Sequence, residues 1–249
     1  MRLRDKWNVI ILGRRDINES DRLLTVFSRE KGLAKLIAKG VRKIPSRRGG
    51  HVEPFMQVRC IVTGHPERMY LQAAEAFNDH LLLRQDLEAV QHAQFLAGTV
   101  CSFYQEGDPD EEMYTALQEA WMAFPEVSFE KRVVLETALS LYVLRANGVQ
   151  PVLRSCQVCG ESSPSDAVIL DATAGGWHCL SCRMSLEGAC VSITPRLLKA
   201  VRWLSDNPDR ALALRLPEEE ARQLQLAVRG YVSAMRNEYF QAERSKISV

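Results

Sequence analysis

Arg22-Leu23-Leu24-Thr25-Val26-Phe27-Ser28, then Arg29-Glu30-Lys31-Gly32, then Leu33-Ala34-Lys35-Leu36-Ile37-Ala38-Lys39: this stretch reads as two β-strands joined by a turn. The first run is rich in β-branched and aromatic residues. Gly32 supplies the positive φ that a tight turn needs. The return run sets Leu33, Lys35, Ile37 and Lys39 against Ala34, Leu36 and Ala38, so with a side-chain period of two the lysines project from one face. Working outward, residues 8–12 read as a preceding strand. Residues 55–63 and 69–76 read as two later ones around the turn Gly64-His65-Pro66. The glycines, proline and serine of residues 40–50 exclude regular structure there and leave four bases, Arg42, Lys43, Arg47 and Arg48. Five short strands separated by turns fit a small closed barrel, with the OB-fold the best match.

After Phe77 the apolar period changes to 3.6, through Leu83, Leu87, Val90, Ala97, Cys101 and Tyr104. A second helix is expected over residues 110–124 and a third from Ser128, as its cap, to Asn147-Gly148. The third is apolar nearly all round and should be the buried centre of a helical domain. Thr194-Pro195 and Pro217-Glu218-Glu219-Glu220 start two more. The expected fold class is therefore α+β and multidomain. An OB-fold β-barrel of residues 1–78 precedes a helical domain of 79–153 and 193–249, with 154–192 inserted as a cysteine-bearing finger.

The chain has 249 residues, 46% of them hydrophobic, which is enough for real cores. No apolar run has the length of a membrane span or of a signal peptide, so a cytoplasmic protein is expected. The formal net charge of +1 conceals an asymmetry. Residues 1–50 hold 14 lysines and arginines against 5 acids, a net +9, and the remainder carries −8. Such a distribution points to a polyanion at the N-terminal end. Arg14, Arg15, Lys35, Lys39, Arg42, Lys43, Arg47 and Arg48 are the expected phosphate-contacting residues, the strand lysines forming a platform and the loop bases following a flexible backbone. Trp7, Phe27, Phe55 and Tyr70 all lie in expected strands and read as core, which leaves few aromatic rings for stacking bases.

Cys156-Gln157-Val158-Cys159 and Cys179-Leu180-Ser181-Cys182 are two C-x-x-C knuckles with nineteen residues between them. That spacing lies within the window for zinc. Two thiolates on each of two tight turns complete a tetrahedron, and with all four positions taken by cysteine the expected Zn2+ is structural. Gly160 and Gly175-Gly176 give the turns their freedom. The segment has few large apolar residues and no obvious core of its own. His178 reads as polar surface, Cys60 and Cys101 as small buried residues, and Cys190 as a weak spare ligand.

Two blocks of residues resemble the bacterial recombination mediator family RecO. One is Gly13-Arg14-Arg15-Asp16-Ile17-Asn18-Glu19-Ser20-Asp21-Arg22 with its continuation through Ala38-Lys39-Gly40-Val41-Arg42-Lys43 to Glu53-Pro54-Phe55. The other runs from Phe129-Glu130-Lys131-Arg132 through Gly148-Val149-Gln150-Pro151 to the first knuckle. The resemblance implies an OB-fold, a helical domain and an inserted zinc finger. It also implies binding of single- and double-stranded DNA, strand annealing, contact with RecR and with the C-terminal tail of single-stranded DNA-binding protein (SSB), and help in loading RecA. For that acidic, apolar-ended tail, Lys131 and Arg132 at the start of the most apolar helix are the expected contacts.

Two other readings compete. An RNA-binding OB-fold protein with a structural zinc would use the same charges. A zinc nucleobase deaminase would use His51-Val52-Glu53 with the first knuckle, but Ser155 stands where that signature has proline. No phosphate-binding G-x-x-x-x-G-K-[ST] loop and no nucleophile–base set occurs, so no enzyme is expected.

Overall fold

Strand pleat decides the N-terminal architecture. In the computed structural model, which describes residues 3–42, 52–65, 68–182 and 192–247, five strands close into a barrel in the order β1-β2-β3-β5-β4. They are β1 (Leu3–Asp16), β2 (Arg22–Ser28), β3 (Gly32–Ala38), β4 (Gln57–His65) and β5 (Arg68–Asn78). Alternate residues enter the core: Trp7, Val9 and Ile11 from β1, Leu24 and Val26 from β2, Leu36 from β3, Val58, Cys60 and Val62 from β4, and Met69 and Leu71 from β5. Burial pushes the Cys60 thiol up to about 12, which makes it an inert packing residue. The OB-like barrel expected from the strand pattern is present.

The first strand is longer than its apolar run suggests because it serves two partners. Its first half pairs with β4, from Leu3↔Gly64 to Ile10↔Gln57, and its second half with β2, from Val9↔Ser28 to Asp16↔Arg22. A register shift between Ile11 and Gly13 bends it from one to the other. The charged ends of this strand conceal it in the sequence.

The shortest seam of the barrel is between β3 and β5, which run parallel and pair at Leu36↔Met69 and Ile37↔Tyr70. The other half of the β3 edge is covered by the segment after residue 104. Glu106 bridges to Gly32 and Leu33, and the Gly107 amide donates to the Leu33 carbonyl at 3.0 Å. Gly32 has φ +63, and a Cβ there would lie 1.7 Å from the Asp108 carbonyl oxygen, so glycine is required twice over.

Contacts group the chain into two units, Met1–Glu126 and Val127–Val249. The first includes α1 (Leu81–Gln85), α2 (Leu87–Phe103) and α3 (Glu111–Ala123) beside the barrel. The single stripe read after Phe77 is two helices. Asp86 breaks it, leaving the helix and then accepting from the Ala89 amide at 3.0 Å as the cap of α2. Asp110 caps α3 through the Met113 amide at 2.8 Å.

The second unit holds α4 (Phe129–Ala146), α5 (Pro195–Asp206) and α6 (Glu218–Ile247). Ser128 occupies the cap position of α4 without making the cap bond; its hydroxyl instead bonds Glu130 and holds that carboxyl below its usual range. The apolar α4 also carries Glu136, 2% exposed, whose two oxygens accept from Arg229 of α6 at 2.7 and 2.6 Å. A small antiparallel sheet of β6 (Val168–Asp171), β7 (Gly176–Cys179) and β8 (Ser192–Ile193) packs on α6 through β6 and β8. Among the described residues, no helix is long and apolar enough to cross a membrane.

Candidate nucleic-acid interface and metal centre

The register sorts the expected phosphate contacts onto different faces. Arg15, Leu23 and Ile37 form one cross-strand row, and Gly13, Thr25 and Lys35 the next. Core residues Leu24, Val26 and Leu36 alternate with these, so Arg15 and Lys35 share the outer face of β1–β2–β3. Both are exposed. Lys39 continues that face, with its Nζ 4.8 Å from the centroid of the Tyr70 ring. Arg14 pairs with Leu24 and lies on the opposite side.

Acids hold several of these bases. Glu53 accepts from Arg14 and, at 3.2 Å, from Arg22; Asp16 accepts from Arg22 at 3.0 Å and faces Arg42 at 3.5 Å. Arg42 also donates to the Asn18 carbonyl at 2.8 Å. The turn that carries it is pinned by the Gly40 amide, which donates to Asp21 at 2.7 Å and, with Asn18 and Ser20, holds the Asp21 carboxyl below its ordinary range. This places Arg14, Arg22 and Arg42 around one pair of carboxylates at the tip of the β1–β2 hairpin. Lys35 pairs with Glu106. All these pairs are at least partly exposed, where an ion pair is weak and a phosphate is a competitive replacement. Lys43, Arg47 and Arg48 lie outside the described residues, as do His51 and Cys190. Glu53, the acid of the H-x-E match, is engaged by the two arginines.

Where β3 and β5 part, a cleft of about 710 Å³ opens in the barrel wall. Leu23, Leu33, Ile37 and Met69 give it apolar sides, and Lys31, Lys35 and Arg68 give it cations. Arg68 was not among the expected contacts, because a lone base after an irregular turn carries no pattern. Trp7, Phe27 and Phe55 are core residues as expected, each 6% exposed or less. Tyr70 is only half-buried, and Phe77, outside the set of rings expected from the sequence, is 47% exposed.

In the second unit the two knuckles meet. The sulfurs of Cys156, Cys159, Cys179 and Cys182 all lie within 4.8 Å of one another, with Cys159 and Cys179 3.9 Å apart. A tetrahedral ion with metal–sulfur bonds of about 2.3 Å requires sulfurs about 3.8 Å apart. The set therefore fits one metal ion. Gly160, at φ +78, lets its own amide return to the Cys156 carbonyl at 3.0 Å. The Gln157 amide donates to the Trp177 carbonyl at 2.9 Å, which lays the first knuckle on β7.

The thiols are not equivalent. Burial opposes ionisation of Cys156, but the amides around it, including those of Val158 and Cys179 at 3.4 Å, outweigh burial and bring it down to about 6. Cys179 is pushed up to about 12, first by burial and then by hydrogen bonding to Cys156 and Cys159. Cys182 is raised through its hydrogen bond with Cys159. Ionisation of Cys156 is thus favoured by its amides and in turn disfavours ionisation of its neighbours, as expected for sulfurs this close together.

The finger has more internal structure than its composition suggested. Trp177 is fully buried beside Val168, Ile169 and Leu170, and its indole donates to the Leu153 carbonyl at 2.9 Å. Arg202 of α5 stands 5.7 Å from that indole and donates to the carbonyls of Leu153, Arg154 and Ser162. His178 is buried, not on the surface: one ring nitrogen lies 3.3 Å from Asp171 and the other 3.2 Å from the Cys179 carbonyl. Asp171 also accepts from the Thr173 amide and hydroxyl, and these bonds hold its carboxyl low against the opposing effect of burial.

Lys131 is turned toward the end of the short helix Pro208–Ala213, donating to the carbonyls of Leu212 and Leu214. Arg132 is buried.

The family model for the recombination protein O N terminal matches residues 1–78, and that for its C terminal matches residues 84–235. The DNA repair protein RecO of Rubrobacter xylanophilus is 30% identical over 216 residues, 87% of this chain and 86% of its own. That of Pelotomaculum thermopropionicum is 28% identical over 229 residues, 92% of this chain and 88% of its own. That of Syntrophotalea carbinolica is 33% identical over 191 residues, 75% of this chain and 72% of its own. Because the two models together span barrel, helices and knuckles in chain order, the chain belongs to the RecO family of DNA repair and recombination proteins.

Proposed function

We propose that this protein is a recombination mediator that binds DNA without changing it covalently, with the barrel of residues 1–78 as the contact domain. The observation that carries this is the shared outer face of Arg15, Lys35 and Lys39 beside a cleft rimmed by Lys31 and Arg68, in a chain of this family. Phosphates exchange with Glu106, Glu53 and Asp16 for the bases those acids now hold. Arg14 and Arg42 extend the surface past the hairpin tip, and Lys43, Arg47 and Arg48 are proposed as further phosphate contacts. Complementary strands held in this way anneal. Together with RecR, the protein relieves the SSB barrier to RecA loading. Neutralising Arg14, Arg15, Lys35 and Arg42 to glutamine should weaken binding on every sequence alike. It should also lower the log–log salt slope on single strands by up to about 3, from about 0.7 per phosphate contact. Glu106→Gln should do the reverse to affinity, raising it at low salt by releasing Lys35. A quadruple variant with an unchanged slope would remove these residues from the interface.

The four cysteines hold one structural zinc on this reading, the all-thiolate set favouring a borderline-soft ion and leaving no open position for chemistry. Its role is to lock the knuckles, since Trp177 and Arg202 already anchor the sheet. Elemental analysis should find about one zinc per chain. In Cys156→Ser the zinc should be lost, and amide exchange should rise across residues 156–182 with α4 still protected. Full-length protein prepared without chelator that carries no zinc would contradict this.

The SSB tail contact is proposed at Lys131, where the tail carboxylates replace the Leu212 and Leu214 carbonyls as its acceptors, with the buried Arg132 adding positive charge behind it. The double variant Lys131→Ala/Arg132→Ala should anneal naked strands normally and fail on SSB-coated ones. Equal annealing on both substrates would exclude this site.

A further inference from the structure

The strand β5 contains two residues more than β4 requires. Its pairing runs Val62↔Leu71 and then Ile61↔Ala73, skipping Gln72, and later Val58↔Ala76 and then Gln57↔Asn78, skipping Phe77. The first extra residue reverses the parity of the pleat. Before it Met69 and Leu71 face the core; after it Ala74 and Ala76 do. The Gln72 amide secures the reversal by donating to the Thr63 hydroxyl at 2.8 Å. The outcome is an inversion of ordinary barrel economy. Two alanines point inward, and a phenylalanine on the same strand is left 47% exposed. A protein that spends small residues on its core while showing a large ring to water departs from local consistency, as functional surfaces do.

Phe77 does not stand alone. The Arg59 guanidinium carbon lies 5.9 Å from its ring centroid. On the alternation that buries Trp7, Val9, Val58, Cys60 and Val62, the exposed Arg4, Lys6 and Arg59 occupy the outer face of β1 and β4. At the other end of β5 is Tyr70, half-buried, with Lys39 over its ring. Tyr70 is paired with Ile37, whose side chain lines the cleft. Two aromatic rings, each beside a cation, therefore mark the ends of about 20 Å of strand, with further bases alongside. Glu75 is the one acid that β5 contributes to this stretch.

We propose that single-stranded DNA leaving the β3–β5 cleft continues across the outer face of β1–β4–β5, stacking bases on Tyr70 and Phe77 while Arg4, Lys6 and Arg59 follow the phosphates. The proposal rests on the reading of the barrel as the DNA interface and adds to it a base-contacting element. Apolar rings with neighbouring cations suit unpaired bases, whose faces are accessible, and discriminate against duplex, whose bases are already stacked. A partner protein would find the same rings among charges of predominantly one sign, which favours the polyanion.

The test uses full-length protein and three probes: an oligothymidylate, a strand of the same length with its bases removed, and a duplex. Phe77→Ala should lower affinity for the oligothymidylate about 5- to 100-fold. It should leave the abasic strand and the duplex bound as by the wild type, with the salt slope unchanged because no cation is lost. Phe77→Trp should restore the affinity, and its added indole fluorescence should be quenched by the oligothymidylate. Arg59→Gln should instead lower the salt slope by about 0.7. Unaltered oligothymidylate binding by Phe77→Ala, in a protein where substitution of Arg15 and Lys35 abolishes it, would overturn this extension and leave the barrel interface standing. A wild type that binds no single strand would overturn both.

Discussion

Pleat alternation around a closed barrel is the constraint on which the N-terminal surface depends. Once Trp7, Val9, Leu24, Val26 and Leu36 are committed to the core, the neighbouring residues have no choice of side. Arg15, Leu23, Thr25, Lys35 and Ile37 are forced outward together, and that is how bases on β1 and β3 become one face across β2. Irregularities are then the means of adjusting it. A shift near Leu12 carries β1 from one partner to the next, and the extra residues in β5 turn an aromatic ring out of the core. The short β3–β5 seam leaves a cleft, and Gly32 admits the covering segment that supplies Glu106 as the partner of Lys35.

Electrostatics in the second unit follow a different logic. The four thiols are close enough that they compete for negative charge, with Cys156 favoured by its amides and Cys179 disfavoured by its neighbours. A bound divalent ion would remove that competition by favouring the thiolate form of each. The sheet beneath is braced by neutral and ionic contacts that need no metal: Trp177 to Leu153, Arg202 to three carbonyls, His178 to Asp171. A metal held by the four cysteines would add local rigidity to a platform already joined to the helices.

Periodic features were legible in the sequence. The β2–β3 hairpin was readable from β-branched residues, a glycine and alternating lysines, and its strand and turn positions hold to within a residue. The knuckles were readable because C-x-x-C spacing has few other uses. Features that depend on two distant strands were not. The length of β1 was hidden by the charged residues at both of its ends. The break at Asp86 was hidden by an uninterrupted apolar stripe, since a capping aspartate and a helical surface aspartate look alike. His178 and Trp177 looked like isolated residues in a polar segment, and only the return of β7 along β6 buries them together. The exposure of Phe77 follows from two extra residues that exist only relative to β4, so no single-strand pattern could reveal it.

If the barrel holds DNA and the cysteine finger is structural, the two segments respond differently to a bound strand. Amide hydrogen exchange of the zinc-loaded full-length protein, with and without a saturating single strand, tests it most directly. The account predicts slowed exchange on binding in β1, β2, β3 and the residues around Arg42, with no comparable change across residues 156–182. Protection confined to the knuckles, with the barrel exchanging as in the free protein, would contradict it.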